Sequence, residues 1–156
     1  MRAIPLLLLV STLPLCAQEF RSRREALKKA LPGAVVVLFG RTEKESGDSR
    51  AGFFQEPNFQ YLTGWSEPDA MALLSPKGDT LFLPQRDERW RRYNGPAPDP
   101  DDAALRESTG FDAVAPVPAF EARLARALES AANLYAIAGH LMIDCLRALA
   151  DRKSVV

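Results

Sequence analysis

Few residues in this chain have the types and spacing that chemistry demands. Its single histidine, His140, follows Gly139 where a strand should give way to a helix. A site needing two imidazoles is therefore excluded, and the position reads as an ordinary helix start. Three carboxylates of the kind used in acid–base or metal chemistry cluster at Asp99, Asp101 and Asp102. Their setting, NGPAPDPDD, reads as a solvated proline-rich loop in which Asp101 and Asp102 cap the next helix. Serines are plentiful, but no Gly-x-Ser-x-Gly elbow, no paired cysteine or histidine zinc spacing and no glycine-rich phosphate loop occurs. Read from these residues alone, the chain is not a self-contained catalyst.

The elements that would position any site follow from pattern. RSRREALKKAL favours a helix and is stopped by Pro32-Gly33. AVVVLFG is a continuous apolar, β-branched run, the mark of a strand covered on both faces. RTEKESGDSRAG reads as a polar loop, and NFQYLTGW as a second strand. AMALLSP and DTLFLP form a hairpin through Pro76 and Gly78. DAALRESTG is a short helix, FDAVAPV an edge strand, and PAFEARLARALES a helix with Phe120, Leu124 and Leu128 on one stripe. NLYAIAG returns as a strand before a last helix, HLMIDCLRALA, in which Cys145 is a packing residue. The fold class is α/β, a mixed β-sheet flanked by helices.

Size and charge narrow the function. The 156 residues suffice for one domain with its own core. Twenty basic and twenty acidic side chains cancel, so the footprint of a nucleic-acid binder is absent. The run RWRRY follows Asp87 and Glu88 and reads as a neutralised loop or helix face. At the start, Arg2, the apolar IPLLLLVSTLPL and the exit CAQEF read as an export signal over residues 1–17, cut after Ala17 or Gln18. The apolar stretch is too short to span a bilayer, so no membrane span is expected. A lipoprotein anchored through Cys16 is the alternative, disfavoured by the bulky Leu15. If Cys16 leaves with the signal, Cys145 has no partner for an internal disulfide. An exported protein in the periplasm or outside the cell is the expected localisation. The domain proper spans 18–150. The final DRKSVV interrupts a helix and back-translates to a common sequencing-adapter sequence, so residues 151–156 are expected to be a non-native tail and the frame to continue past Ala150.

The stretch Asn58 to Ala70, NFQYLTGWSEPDA, packs three large rings and a glycine into seven residues, Phe59 to Trp65. Together with its flanks, GDSRAGFFQEPNFQYLTGWSEPDAMALL and LFLPQRDERWRRYNGP, it resembles the N-terminal domain of Xaa-Pro aminopeptidases (aminopeptidase P), in the creatinase and prolidase group of metallopeptidases. The matching positions are Asp48, Ser49, Phe53, Gln55, Asn58, Phe59, Tyr61, Leu62, Thr63, Gly64, Trp65, Glu67, Pro68, Arg86, Asp87 and Gly95. Family members usually carry arginine where Phe54 stands and an acidic or small polar pair where Glu56-Pro57 stand. Pro57 also removes a backbone donor ahead of the expected strand. The aromatic before Gly95, often tryptophan in relatives, is Tyr93.

The resemblance implies a domain that supports a homo-oligomer and walls the entrance of an active site built by the next domain. Phe59, Tyr61, Gly64, Trp65, Glu67 and Pro68 are then mostly architecture, with Phe59 and Tyr61 on one strand face under the helices. Asp48 and Tyr93 are the candidate active-site-entrance or subunit-contact residues. The implied chemistry is removal of an N-terminal residue that precedes proline, on peptide substrates, with two manganese ions held by two aspartates, one histidine and two glutamates of a C-terminal domain. No catalytic or metal-binding residue of that set is placed in this chain, which alone is expected to be inactive. A free-standing non-catalytic oligomerisation or peptide-binding module is the alternative, and prolidase or creatinase chemistry in the following domain is another.

Overall fold

The computed structural model describes residues 15–45 and 52–137. Asp48, Ser49, His140, Cys145, the expected last helix, the tail and most of the apolar leader lie outside the described residues. Helix α1 (Leu15–Ala30) leads into β1 (Val35–Phe39), whose five residues are all buried. The hairpin strands β2 (Met71–Ser75) and β3 (Gly78–Leu83) follow, then β4 (Ala113–Pro116) and β5 (Leu134–Ile137). The sheet order is β4-β3-β2-β1-β5, antiparallel within β1-β2-β3 and parallel at both outer pairs. A mixed sheet results, and FDAVAPV forms its edge as expected. The hairpin closes with Ser75 opposite Gly78; the Ser75 hydroxyl donates to the Gly78 carbonyl (2.8 Å) and accepts from the Lys77 N–H (3.2 Å).

Strand pleating sends alternate residues to opposite layers. Val35, Val37 and Phe39 join Met71, Leu73, Phe82 and Ala115 under helix α5 (Phe120–Leu128), which contributes Phe120, Leu124 and Leu128. Phe120 meets Phe39 and Phe82 edge-on, with ring centroids 6.0 and 5.3 Å away. On the other face Val36, Leu38, Leu74, Leu81 and Leu83 pack against Phe59, Leu62 and Phe111. That layer is roofed by α1, α2 (Pro57–Thr63) and α4 (Ala104–Thr109), with α3 (Glu88–Asn94) set to one side and burying no residue. Each fully buried leucine or phenylalanine contributes about 1.5–3 kcal/mol, so both layers matter. Among the described residues no helix is long and apolar enough to cross a membrane.

The aromatic stretch corrects the sequence reading, because NFQYLT is helix α2 and not a strand. Pro57 opens the helix, where a missing N–H leaves no bond unmade. Glu56 caps it: its carboxylate accepts from the Phe59 N–H at 2.6 Å. Gly64 closes it in the left-handed conformation (φ 69°), donating its N–H to the Gln60 carbonyl at 2.8 Å. Helical spacing turns Phe59, Leu62 and Thr63 inward, whereas Tyr61 is 58% exposed. Phe59 and Tyr61 therefore do not share a face. Tyr61 instead stacks on the Arg23 guanidinium, 4.2 Å from the ring centroid.

Helix α1 is held by contacts that tolerate little change. A Cβ on Gly64 would lie 2.2 Å from the Phe20 ring, and one on Gly110 would lie 2.7 Å from the Ala17 carbonyl oxygen. Arg24 is fully buried. Its Nε donates to Asp79 Oδ2 (3.1 Å), and its other nitrogens to the carbonyls of Leu62 (3.1 Å) and Gly110 (2.6 Å). Its guanidinium also lies 3.9 Å over the Phe111 ring. Lys28 Nζ reaches the other Asp79 oxygen at 2.8 Å, and Asp112 accepts from the Asp79 N–H at 2.8 Å. Burial lowers the Arg24 pKa from its ordinary value, with the bond to Asp79 opposing that shift. One arginine thus ties α1 to α2, the hairpin and the end of α4.

Candidate functional site

The sequence motifs converge at one end of the sheet, where β1 and β3 finish and β2 begins. Gly40 follows β1 so closely against β2 that a Cβ would lie 2.9 Å from the Ala70 carbonyl oxygen. Gln55 is buried beside it and satisfies three loops at once. Its Oε1 accepts from the N–H groups of Arg41 (2.6 Å) and Glu56 (2.9 Å), and its Nε2 donates to the Glu67 carbonyl (2.8 Å). A buried carboxamide bonded at both its oxygen and its nitrogen fixes loop positions, because any misplaced loop leaves a buried polar atom unmet. Glu67 thus enters through its backbone, and Pro68 turns the chain towards Asp69.

Asp69 has the one left-handed non-glycine backbone among the described residues, φ 62°. Its N–H donates to the Arg41 carbonyl (3.0 Å), Oδ1 accepts from the Glu43 N–H (3.2 Å) and Oδ2 from Arg86 (2.7 Å). Arg86 lies 4.6 Å over the Trp90 ring. Asp87 caps α3 by accepting from the Trp90 N–H at 2.7 Å, so the Arg-Asp pair of the motif both anchors and starts this helix. The run RWRRY is accordingly a helix face. A narrow slot of about 20 Å³ remains between Trp65, Pro68, Pro84, Arg86, Trp90 and Pro98. The buried Trp65 indole N–H has no hydrogen-bond partner among the described residues.

Tyr93 stands on α3 at this same end and is 78% exposed. Asp48 lies outside the described residues; the chain approaches it through a 3-10 turn at Glu43–Glu45, the segment held by Asp69. Trp65, Glu67 and Pro68 therefore belong to the pole that carries Tyr93. Phe59, Tyr61 and Gly64 instead build the seam between α1 and α2. Asp69 and Trp90 were not singled out by sequence reasoning. Asp69 fills the variable place in Glu-Pro-x-Ala, and only its Asp-in-a-turn setting signalled it; Trp90 sat inside a run dominated by charge.

The aspartate cluster is spent on local structure. Asp99 accepts from the Asp101 N–H (3.1 Å) and from Arg91 (3.2 Å), which together hold its carboxyl below the ordinary 3.8, the backbone bond first. Asp102 accepts from the Ala104 N–H at 2.9 Å, but the cap position of α4 is Ala103 and carries no side-chain bond, and Asp101 takes part through its N–H to Asp99. The capping expected of Asp101 and Asp102 is not how the helix begins. Among the described residues no group of three or more histidine, cysteine, aspartate or glutamate side chains could hold a metal ion. The manganese pair implied by the resemblance does not fit these residues. At the opposite pole an open groove of about 690 Å³ beside the hairpin mixes Lys77, Arg123 and Arg126 with Asp79, Asp112 and Glu129. Its balanced charge singles out no ligand.

Comparison with known proteins agrees with this arrangement. The chain is 39% identical over 85 residues to Xaa-Pro aminopeptidase 3 of Dictyostelium discoideum, covering 50% of this chain and 16% of the relative. It is 38% identical over 65 residues to Xaa-Pro aminopeptidase of Escherichia coli K12, covering 40% of this chain and 15% of the relative. Aminopeptidase P from E. coli, solved with the inhibitor Pro-Leu, superposes with a TM-score of 0.73 at 26% identity, over 87% of this chain and 32% of that one. The chain thus spans about a sixth of the curated relatives and about a third of the solved structure. Residues 20–135 match the family model described as aminopeptidase P, N-terminal domain, and the chain belongs to that family.

Proposed function

We propose that this chain is the N-terminal domain of an exported, manganese-dependent Xaa-Pro aminopeptidase, which removes an N-terminal residue preceding proline from peptides. The observation that carries the reading is the convergence of the Glu-Pro turn, Gln55, Arg86 and α3 at one pole of the sheet. These residues are hydrogen-bonded into fixed positions while Tyr93 is left bare, the arrangement of a rigid wall that presents a contact residue. The metal pair would supply an activated water and a polarised carbonyl from the domain that follows. This chain's own residues hold the wall, present Tyr93 and, from the adjoining segment, Asp48 towards an entrance or a neighbouring subunit in a homo-oligomer. By itself the chain hydrolyses no Xaa-Pro bond. The apolar N-terminal leader directs export.

Sequencing the source DNA through the codon for Ala150 tests the proposal. A frame that runs on into a domain with two aspartates, a histidine and two glutamates in ligand positions is the expected result. A genuine stop after Val156 would contradict it and turn the reading to a free-standing oligomerisation or peptide-binding module.

A further inference from the structure

A left-handed backbone is disfavoured for any residue with a Cβ; aspartate tolerates it better than most, and glycine is free of the cost. At Asp69 that cost is retained (φ 62°) where glycine would remove it. What glycine would lack is the carboxylate, and both of its oxygens are engaged. Oδ1 accepts from Glu43 N–H (3.2 Å) in the turn after β1, and Oδ2 from Arg86 (2.7 Å) just ahead of α3. Those segments are far apart in sequence, and this side chain bonds to both. Arg86 carries the restraint onward through its contact with the Trp90 ring, 4.6 Å away. Strain kept where a side chain joins two functional segments points to a role in holding them.

We propose that Asp69 is a positioning residue that locks α3, with Trp90 and Tyr93, to the 3-10 turn at Glu43–Glu45, so that both elements of the pole move as one body. Its bearing on catalysis rests on the reading of that pole as an active-site wall. The ion pair is only partly sheltered, Arg86 and Asp69 side chains being 16% and 29% exposed, so the lock can be opened without unfolding the domain.

Two substitutions separate the lock from the fold. Asp69→Gly relieves the backbone and removes both bonds. It should leave Tm within about 2 °C while amide exchange rises about tenfold in residues 43–45 and 88–94. Asp69→Asn keeps an acceptor for the Glu43 N–H and loses the ion pair, so exchange should rise in 88–94 alone. Unchanged exchange in both segments of the glycine variant would overturn the proposal. So would a uniform rise across the sheet with a fallen Tm in both variants. Should the glycine variant fail to fold, the asparagine variant decides on residues 88–94. In the full-length gene product both variants should raise KM for an Xaa-Pro peptide about threefold with kcat kept, the mark of lost positioning. Faster exchange with KM unchanged would support the lock and contradict the entrance reading instead.

Discussion

Each pole of the sheet is tied by an arginine–aspartate pair, and the two pairs differ in kind. Arg24 and Asp79 expose 0% and 4% of their side chains, whereas Arg86 and Asp69 expose 16% and 29%. The first pair holds α1, α2 and the hairpin together beneath a roof of helices. Charge placed there cannot be re-solvated without opening the fold, so its loss is a loss of the domain. The second pair sits at the rim, beside an exposed tyrosine and a strained backbone, where its loss changes position more than stability. Similar chemistry therefore serves architecture at one end and presentation at the other.

The largest effect is expected at the buried pole. Arg24→Met should cost about 3 kcal/mol, because Asp79 stays buried with Lys28 as its remaining cation. Urea denaturation would read this, and a loss no greater than that of Arg86→Ala would erase the contrast. Gly64→Ala should cost about 2 kcal/mol, since the added Cβ meets Phe20 and the left-handed φ is lost to strain. Combining it with Phe20→Ala should recover part of that loss relative to the summed single changes. At the rim, Arg86→Ala should cost about 1 kcal/mol in the same denaturation and loosen α3 by hydrogen exchange. Tyr93→Ala should change stability by no more than about 0.5 kcal/mol, the residue touching little of the core.

Acid should act on the rim through Asp99. Its folded pKa lies below 3.8, so the carboxylate stabilises the loop above that value and the contribution is lost as pH falls through the folded pKa. Exchange of the Asp101 amide should accelerate in that acid window and not above it.

Much of this fold was legible because burial and pattern agree. The run Val35–Phe39, the hairpin about Pro76 and the Phe120, Leu124, Leu128 stripe all sit where periodicity put them. The stretch Asn58–Thr63 misled because aromatics alternate at Phe59 and Tyr61, which imitates a strand. The helical signals were present as Pro57 at the first turn, Glu56 before it and Gly64 after it. They lost weight because glutamate is an uncommon cap. The site was legible as a motif and not as a geometry. Gln55, Arg86 and Asp87 stood in the recognised pattern, but hydrogen bonds across loops have no period. A positive φ at Asp69 is a tertiary outcome that no local rule announces.

The central claim, a wall that serves chemistry carried elsewhere, is tested most directly by assay. The purified chain of residues 1–156 and the longer gene product would each be given manganese and an Xaa-Pro peptide, and release of the N-terminal residue would be measured. Release by the longer product alone is the predicted result. Release by the 1–156 chain itself would contradict it.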